Sequence, residues 1–361
     1  MITFDKNKLY LKVFFMIDLS TSFMGLPLRN PIVAGSSGLM NHLDYLKQLD
    51  NAGIGAVVLK SIFEEQIRLE SEHFLDSDSS KVKEWKAILQ EIEQQRDYCY
   101  DEALTYIRQF AKEHTLDKYL TLISEAKKCL SVPVIASIHC VSQYHWGYFA
   151  KRIEEAGADA LELNVYVLPS DAGRTGAENE QVYFDVVEQV KKWISIPVSL
   201  KIGYYFSGLM QTITRLSQTG ISALTLFNRP YHPDIDIEQM KISANYIYSN
   251  PEEYIKTLRW VAILSGRIQC EIAASTGIHD YKAVVKQLLA GASVVQIASA
   301  LYNNGPQVIN QLLNGLENWM QRHDFQTIAQ FKGLLSGNKI DNPAAFERVQ
   351  FMKHYSKVGE E

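Results

Sequence analysis

The chain has 361 residues, 47% of them hydrophobic, which is enough for a large core. With Lys+Arg 36 against Asp+Glu 41 and no block of like charge, it offers neither a nucleic-acid surface nor a polybasic membrane patch. Four scattered cysteines (Cys99, Cys129, Cys140, Cys270) without a C-x-x-C pair point to a reduced, cytoplasmic chain and exclude a disulfide scaffold.

Residues 1–15 read as an N-terminal extension. Leu9–Ile17 is the nearest approach to a signal segment, but Asp18 follows it at once and no small-residue cleavage site does. No apolar run reaches the ~18 residues a membrane span needs, so no membrane partner is expected. From about residue 16 two kinds of apolar segment alternate. The first enters through Pro or a basic residue: Pro31 before Ile32–Ser36, Pro133 before Val134–Ser137, Pro197 before Val198–Lys201, and Arg267 before Ile268–Ala274. Proline at the first residue of a strand removes no internal ladder bond. The second follows a glycine suited to end a helix and turn into a strand: Gly53 before Ala56–Lys60, Gly157 before Ala160–Asn164, Gly220 before Ala223–Asn228, and Gly291 before Val294–Ser299.

These eight short strands are nearly continuous in apolar residues, as parallel strands covered on both faces should be. Amphipathic stretches predict helices between them over 42–51, 116–130, 144–156, 178–193, 208–219, 251–264 and 281–289. Strand and helix alternating eight times predicts one (β/α)8 barrel, a TIM barrel, over residues 16–336. A doubly wound open sheet is the structural alternative, but the G-x-G at Gly53 and Gly55 precedes a strand instead of following one. Residues 337–361 are read as a C-terminal helical extension, with 342–357 packing on the barrel or on a partner.

Most strand spacings are close to the minimum for a βαβ unit, and the additions fall at Ile62–Thr115, Tyr166–Gly176 and Arg229–Asn250. These are long βα loops 2, 4 and 6, the first long enough for an inserted lid. Each follows a strand and precedes its helix, so all three sit at the C-terminal mouth, where sites of this fold are built. The strands end there in polar residues: Lys60 and Ser61, Ser137 and His139, Asn164, Lys201, and Asn228. Two lysines and two asparagines at one mouth suit a planar, electron-accepting ring that gains negative charge on reduction. The last two strands end in Ala274-Ser-Thr-Gly-Ile278 and Ala298-Ser-Ala300, small residues that let backbone N–H groups approach a phosphate.

Several other patterns are set aside. His139-Cys140 with His145 lacks the spacing of a metal centre, and no metal is expected. Cys140 and Cys270 are read as core residues, and Gly333–Lys339 has the wrong spacing and context for a P-loop. The aromatics Tyr98, Tyr100, Tyr106, Phe110 and Tyr119 are read as helix packing, with a cap over the site as the alternative. Glu64, Glu65, Glu70 and Glu72 read as a solvated face.

Taken together, Leu19-Ser-Thr-Ser-Phe-Met-Gly-Leu-Pro-Leu-Arg-Asn-Pro31, Gly35-Ser-Ser-Gly38, Leu59-Lys-Ser61, Glu162-Leu-Asn164, Ser199-Leu-Lys201 and Phe227-Asn228 resemble the family-1 dihydroorotate dehydrogenases, from about Met16 to Ser336. The chain is most similar to a divergent, dihydroorotate dehydrogenase-like branch. The resemblance implies FMN held by Ser36, Ser37, Lys60, Ser61, Asn164, Lys201, Gly277, Ala298 and Ser299. It also implies a dihydroorotate-like substrate contacted by Lys60, Asn164 and Asn228. A homodimer, a soluble electron acceptor and a role in pyrimidine biosynthesis are implied as well.

One departure bears on the chemistry. Where the family carries Cys, or Ser in relatives, this chain has Val167, which cannot move a proton. If dihydroorotate is the substrate, Tyr166 or Ser170 is expected to take up the proton, activated by Lys60 or through a water. Arg229, next to Asn228, is expected to pair with a substrate carboxylate. Three readings stay open: an FMN oxidoreductase acting on dihydroorotate or a related small anion, a flavin-binding homologue without that activity, and a flavin-free aldolase using Lys201 as a Schiff base.

Overall fold

The computed structural model describes residues 17–63, 116–140, 146–230, 232–243 and 247–347. The extension at 1–15, the insertion at 64–115 with its glutamates and aromatics, Cys99, His145 and the tail from 348 lie outside the described residues.

The first named elements of the described residues form a hairpin, β1 (Thr21–Phe23) and β2 (Leu26–Leu28), paired antiparallel. Barrel strands and helices then alternate: β3 (Ile32–Ala34), α1 (Leu43–Asn51), β4 (Ala56–Val58), β5 (Ile62–Phe63), α2 (Leu116–Cys129), β6 (Val134–Cys140), α3 (Trp146–Glu155), β7 (Ala160–Val165), α4 (Gly176–Lys191), β8 (Val198–Ile202), α5 (Leu209–Ser217) and β9 (Ala223–Leu226). A second hairpin, β10 (Asp234–Asp236) and β11 (Lys241–Ser243), interrupts the series. It is followed by α6 (Tyr254–Leu264), β12 (Glu271–Ser275), α7 (Tyr281–Ala290), β13 (Val294–Ile297), α8 (Ser299–Asn304) and α9 (Val308–Arg322). The parallel pairs run β3–β4–β6–β7–β8–β9–β12–β13, and β13 returns to β3, which closes the ring. The structure is the (β/α)8 barrel expected from the alternation. β5 is a short continuation of the β4 segment that pairs with β6.

Local chemistry explains the joints. Gly53, Gly157, Gly220 and Gly291, the four glycines read as helix stops, all have positive φ, between 81° and 118°, a region open to glycine at little cost. At Gly291 the main-chain N–H returns to the Gln287 and Leu288 carbonyls and ends α7. Thr175 and Glu178 cap each other at the start of α4, and the Asp280 side chain accepts from Ala283 N–H at the start of α7.

The core has two parts. The larger lies between strands and helices, where Leu46, Ile123, Ile153, Val186, Ile213 and Leu288 are fully buried. Each such aliphatic side chain contributes about 1.5–3 kcal/mol. The smaller fills the lower barrel, where Val33, Ala56, Val58, Ile135 and Val294 meet Phe23, Met24 and Leu28 of the first hairpin, which stoppers that end. Above this apolar layer the barrel interior turns polar: Ser137, Glu162, Ser199, Thr225 and Gln296 are buried there. That change of polarity along the axis marks the C-terminal mouth as the functional end.

Three features differ from the reading of the sequence. The segment after Arg267 becomes a strand only at Glu271. The helices α8 and α9 were not foreseen. Beyond α9 the described residues hold two 3-10 turns, at Ile328–Gln330 and Pro343–Phe346, in place of a helical extension as far as residue 347. Pro343 and the glycines Gly333 and Gly337 break up that stretch.

Candidate active site at the barrel mouth

Adjacent parallel strands in register bring the polar tips together. His139 lies beside Asn164 across β6 and β7, and Asn164 beside Lys201 across β7 and β8. His139 Nδ1 is 3.0 Å from the Asn164 carbonyl. Asn228, just past β9, donates through Nδ2 to Asn164 Oδ1 at 2.8 Å. The two amides therefore act as one unit, with the Asn164 amide protons and the Asn228 carbonyl still available to a ligand.

Beneath them lies a buried charge network. Lys201 Nζ donates to Gln296 Oε1 at 3.2 Å and stands 3.8 Å from Glu162 Oε1. Glu162 Oε2 accepts from Gln296 Nε2 at 2.6 Å and from Thr225 Oγ1 at 3.0 Å. Glu162 is 1% exposed and Lys201 7%. Glu162 Oε1 has no hydrogen-bond partner and meets the ammonium only as a charge, and two opposite charges withstand such burial by compensating each other.

On the other side a chain of hydroxyls links the first three barrel strands. Ser36 Oγ is 3.1 Å from Ser61 Oγ and accepts from Ser61 N–H, and Ser61 Oγ is 2.8 Å from Ser137 Oγ. The buried Tyr119 hydroxyl donates to the Ser137 carbonyl and accepts from Ser137 N–H. This assigns Tyr119 to packing behind the site. Lys60, next to Ser61, is half-buried, and burial pushes its ammonium below the usual lysine range.

A cavity of about 330 Å³ opens beside the network. The expected residues Ser36, Ser37, Lys201, Asn228, Arg229, Gly277, Ala298 and Ser299 all line it. At one end are the turns after β12 and β13. Gly277 has φ +76°, and a Cβ there would lie 2.2 Å from the Tyr254 nitrogen, so only glycine fits where this turn meets the start of α6. Ser37 Oγ is buried without a hydrogen-bond partner. A buried hydroxyl on a cavity wall is costly unless a ligand takes it up. Small hydroxyls, the close backbone of these turns and an unsatisfied serine fit a phosphorylated ligand. The adjacent lysine and amide pair fit a polar ring.

Tyr166 and Ser170 stand apart from that cavity. Tyr166 packs against Gly203, where a Cβ would be 3.1 Å from its ring, and edge-on to Tyr205 at 6.3 Å. Burial, with neighbouring Tyr205, Tyr204 and Tyr183, pushes its phenol up to about 12. Tyr166 thus holds its proton at neutral pH, and a role as acceptor requires the activation already noted. Ser170 is exposed on the same loop. The expected partner for Arg229 was a substrate anion. In the structure its Nε binds Glu253 at 3.0 Å and Nη1 the Ile247 carbonyl at 3.1 Å, which leaves three of its five N–H donors.

Cys270 is mostly buried, and burial pushes its thiol up to about 12, which leaves it unreactive. Among the described residues no His, Cys, Asp or Glu group is placed to hold a metal ion, and no helix is long and apolar enough to cross a membrane. Sequence reasoning missed Gln296, Thr225 and Ser249, and gave Glu162 no role. Only the polar interruption of otherwise apolar strands hinted at them.

A closed barrel with a buried lysine–glutamate pair, an amide pair and a phosphate-fitting cavity at its C-terminal mouth is a (β/α)8-barrel enzyme site. Residues 86–320, nearly two thirds of the chain, match the family model described as Dihydroorotate dehydrogenase. The chain belongs to the dihydroorotate dehydrogenase family, and so to the oxidoreductases that act on CH–CH bonds. It is 26% identical over 329 residues to a protein of Methanothermobacter thermautotrophicus named dihydroorotate dehydrogenase B (NAD(+)), catalytic subunit, covering 89% of this chain and 99% of that one. A Thermoplasma volcanium protein of the same name is 26% identical over 327 residues, covering 88% and 99%. The NAD-dependent dihydropyrimidine dehydrogenase subunit PreA of Escherichia coli K12 is 22% identical over 345 residues, covering 90% and 78%.

Proposed function

We propose that the chain is an FMN-dependent oxidoreductase that oxidises dihydroorotate, or a related small anionic dihydropyrimidine, and passes the electrons to a soluble acceptor. The observation that carries this reading is the placement of Lys201, compensated by Glu162 and Gln296, in the wall of a cavity that Asn228 also lines, with Asn164 bonded to Asn228. When bound, FMN supplies a two-electron acceptor for a hydride.

The chain's own residues then have separable tasks. Ser36, Ser37, Gly277, Ala298 and Ser299 bind the phosphate and its linker through hydroxyls and backbone N–H groups. Lys201 provides positive charge where reduction of the ring places negative charge. Asn164 and Asn228 orient the cyclic amide of the substrate, with Lys60 and Arg229 facing its carboxylate. Ser61 fixes Ser36 and, through Ser137, ties the first three strands together. Tyr166 and Ser170 remain the proposed proton acceptors, with the high phenol pKa as the barrier Tyr166 must overcome. The resemblance to family-1 members supports a homodimer, a cytoplasmic location and a role in pyrimidine biosynthesis.

Val167 at the place of the usual base favours a second reading, a flavin-binding homologue without dihydroorotate oxidation. One experiment separates the two: a visible spectrum of the purified protein, followed by anaerobic addition of dihydroorotate. Yellow protein bleached by dihydroorotate supports the enzyme, and yellow protein that stays oxidised supports the second reading. Colourless protein that takes up no FMN removes both. In the bleaching case, Asn228→Ala should raise KM for dihydroorotate roughly tenfold without loss of flavin.

A further inference from the structure

Oxidation of a dihydropyrimidine removes two hydrogens from the substrate ring. A hydride leaves C6 with its electron pair, a proton leaves C5, and the C5=C6 double bond forms. A bound flavin accepts the hydride, and the proton needs a base. Val167 cannot take it. Burial holds the Tyr166 phenol at about 12, and Ser170 is an exposed neutral hydroxyl on the same loop. Each of these two passes a proton on only if a stronger base receives it.

β6 brings such a base to the mouth. Side chains alternate along a strand. On β6, Ile135 fills the lower barrel and Ser137 joins the hydroxyl chain above it, so His139 stands on the same inward face, one step nearer the mouth. It lies in register with Asn164 on β7 and Phe63 on β5. The half-buried ring meets Phe63 edge-on at 5.0 Å. The Asn164 carbonyl can only accept, so its 3.0 Å contact requires a proton on Nδ1. Nδ1 keeps that proton in the neutral and the charged ring alike, and Nε2 is the atom that gains or loses one. Asn164 is bonded in turn through Oδ1 to Asn228, which lines the cavity. One asparagine therefore orients both the amide that faces the ligand and the imidazole beside it. The charged groups on the neighbouring strands, inward by the same alternation, are Lys60 after β4, Glu162 on β7 and Lys201 on β8, and the last two compensate each other.

We propose that His139 is the catalytic base: its Nε2 takes the C5 proton and the ring becomes an imidazolium, while the C6 hydride leaves with its electron pair to the flavin. This role depends on the proposed oxidation of a dihydropyrimidine. It moves the base from the loop after β7, where Val167 stands, to the end of the neighbouring strand.

His139→Asn separates position from basicity, because its amide can still donate to the Asn164 carbonyl but cannot take up a proton. Anaerobic flavin reduction by dihydroorotate, followed by stopped-flow absorbance, should slow at least about a hundredfold, the lower end of what a positioned base contributes. Flavin content and the spectral shift on binding orotate should stay as in the wild type. The wild-type rate should fall as pH is lowered through the imidazole range, and the variant should lack that limb. Added imidazole should restore part of the rate in His139→Ala, which a misfolded protein would not allow. A readout without turnover is nitrogen NMR of the histidine rings in the flavin-stripped protein. The signal missing from His139→Asn should show a protonated Nδ1 and an Nε2 that titrates. Wild type and His139→Asn reduced at equal rates, loss of flavin or orotate binding in step with the rate, or a neutral ring protonated on Nε2 would each overturn this assignment alone. Wild-type flavoprotein that dihydroorotate does not bleach overturns the enzymatic reading and the role of His139 with it.

Discussion

Replacing Glu162 by Gln tests whether the buried network under the cavity is an ion pair. At 3.8 Å and an effective dielectric constant of about 20, the Glu162–Lys201 attraction is about 4 kcal/mol. Glutamine keeps an acceptor for Gln296 Nε2 or Thr225 Oγ1 but turns a neutral amide toward the Lys201 ammonium, which retains the Gln296 carbonyl. Removing one partner of a buried pair costs about 3–5 kcal/mol. At about 2 °C per kcal/mol for a chain of this size, Tm of the cofactor-free protein should fall by on the order of 6–10 °C. Differential scanning calorimetry of the stripped protein keeps ligand binding out of the measurement. The double variant Glu162→Gln, Lys201→Met should regain part of the loss, with a coupling of at least about 1 kcal/mol. In the flavin-loaded Glu162→Gln protein, loss of the counter-charge should raise the flavin reduction potential. A fall in Tm of less than about 2 °C, or strictly additive effects, would refute the ion-pair reasoning.

Three further outcomes follow from the geometry. Gly277→Ala brings a Cβ to 2.2 Å from the Tyr254 nitrogen at φ +76°. The purified variant should carry little flavin and melt lower, as measured by the flavin-to-protein ratio and a thermal scan. Tyr166, with its phenol near 12, should show no ionisation below about pH 10, one to two units under that value. Tyr166→Phe should therefore leave the pH dependence of flavin reduction unchanged between pH 6 and 9, as measured by stopped-flow absorbance, and a lost limb in that range would refute the raised phenol. Glu154 sits on α3, where burial acts to raise its pKa, but hydrogen bonds from Lys151, Ser195 and Ile196 hold it at about 2. Its folded value lies below the ordinary 4.5, so its contribution is complete above about 4.5 and disappears as pH falls toward 2. Glu154→Gln should thus be less stable than wild type at pH 7 by roughly 2 kcal/mol, with the gap closing on acidification in urea melts.

The readable parts of this chain were those whose cause is local. Pro31, Pro133 and Pro197 announced strands, and the four helix-ending glycines took the left-handed conformation their positions implied. Asn164, Lys201 and Asn228 were legible as mouth residues because a strand end followed by a long loop has a fixed place in an alternating barrel. Arg229 shows where that reasoning stops. Its neighbour Asn228 located it, but nothing near it in sequence announced Glu253, 24 positions on, as its partner.

By itself the sequence determined the alternation, the closure it demands, the end at which the polar strand tips gather and the small-residue turns after the last two barrel strands, because each depends on short-range periodicity and turn chemistry. Only the tertiary structure decided that Lys201 pairs with Glu162 while the Gln296 amide bridges the two, that Ser249 hydrogen-bonds to Gly277 and Ser299, and that Tyr166 is packed into holding its proton. Those pairings join residues tens to more than a hundred positions apart, up to 134 between Glu162 and Gln296. Their energies come from burial and mutual satisfaction, which no local segment carries.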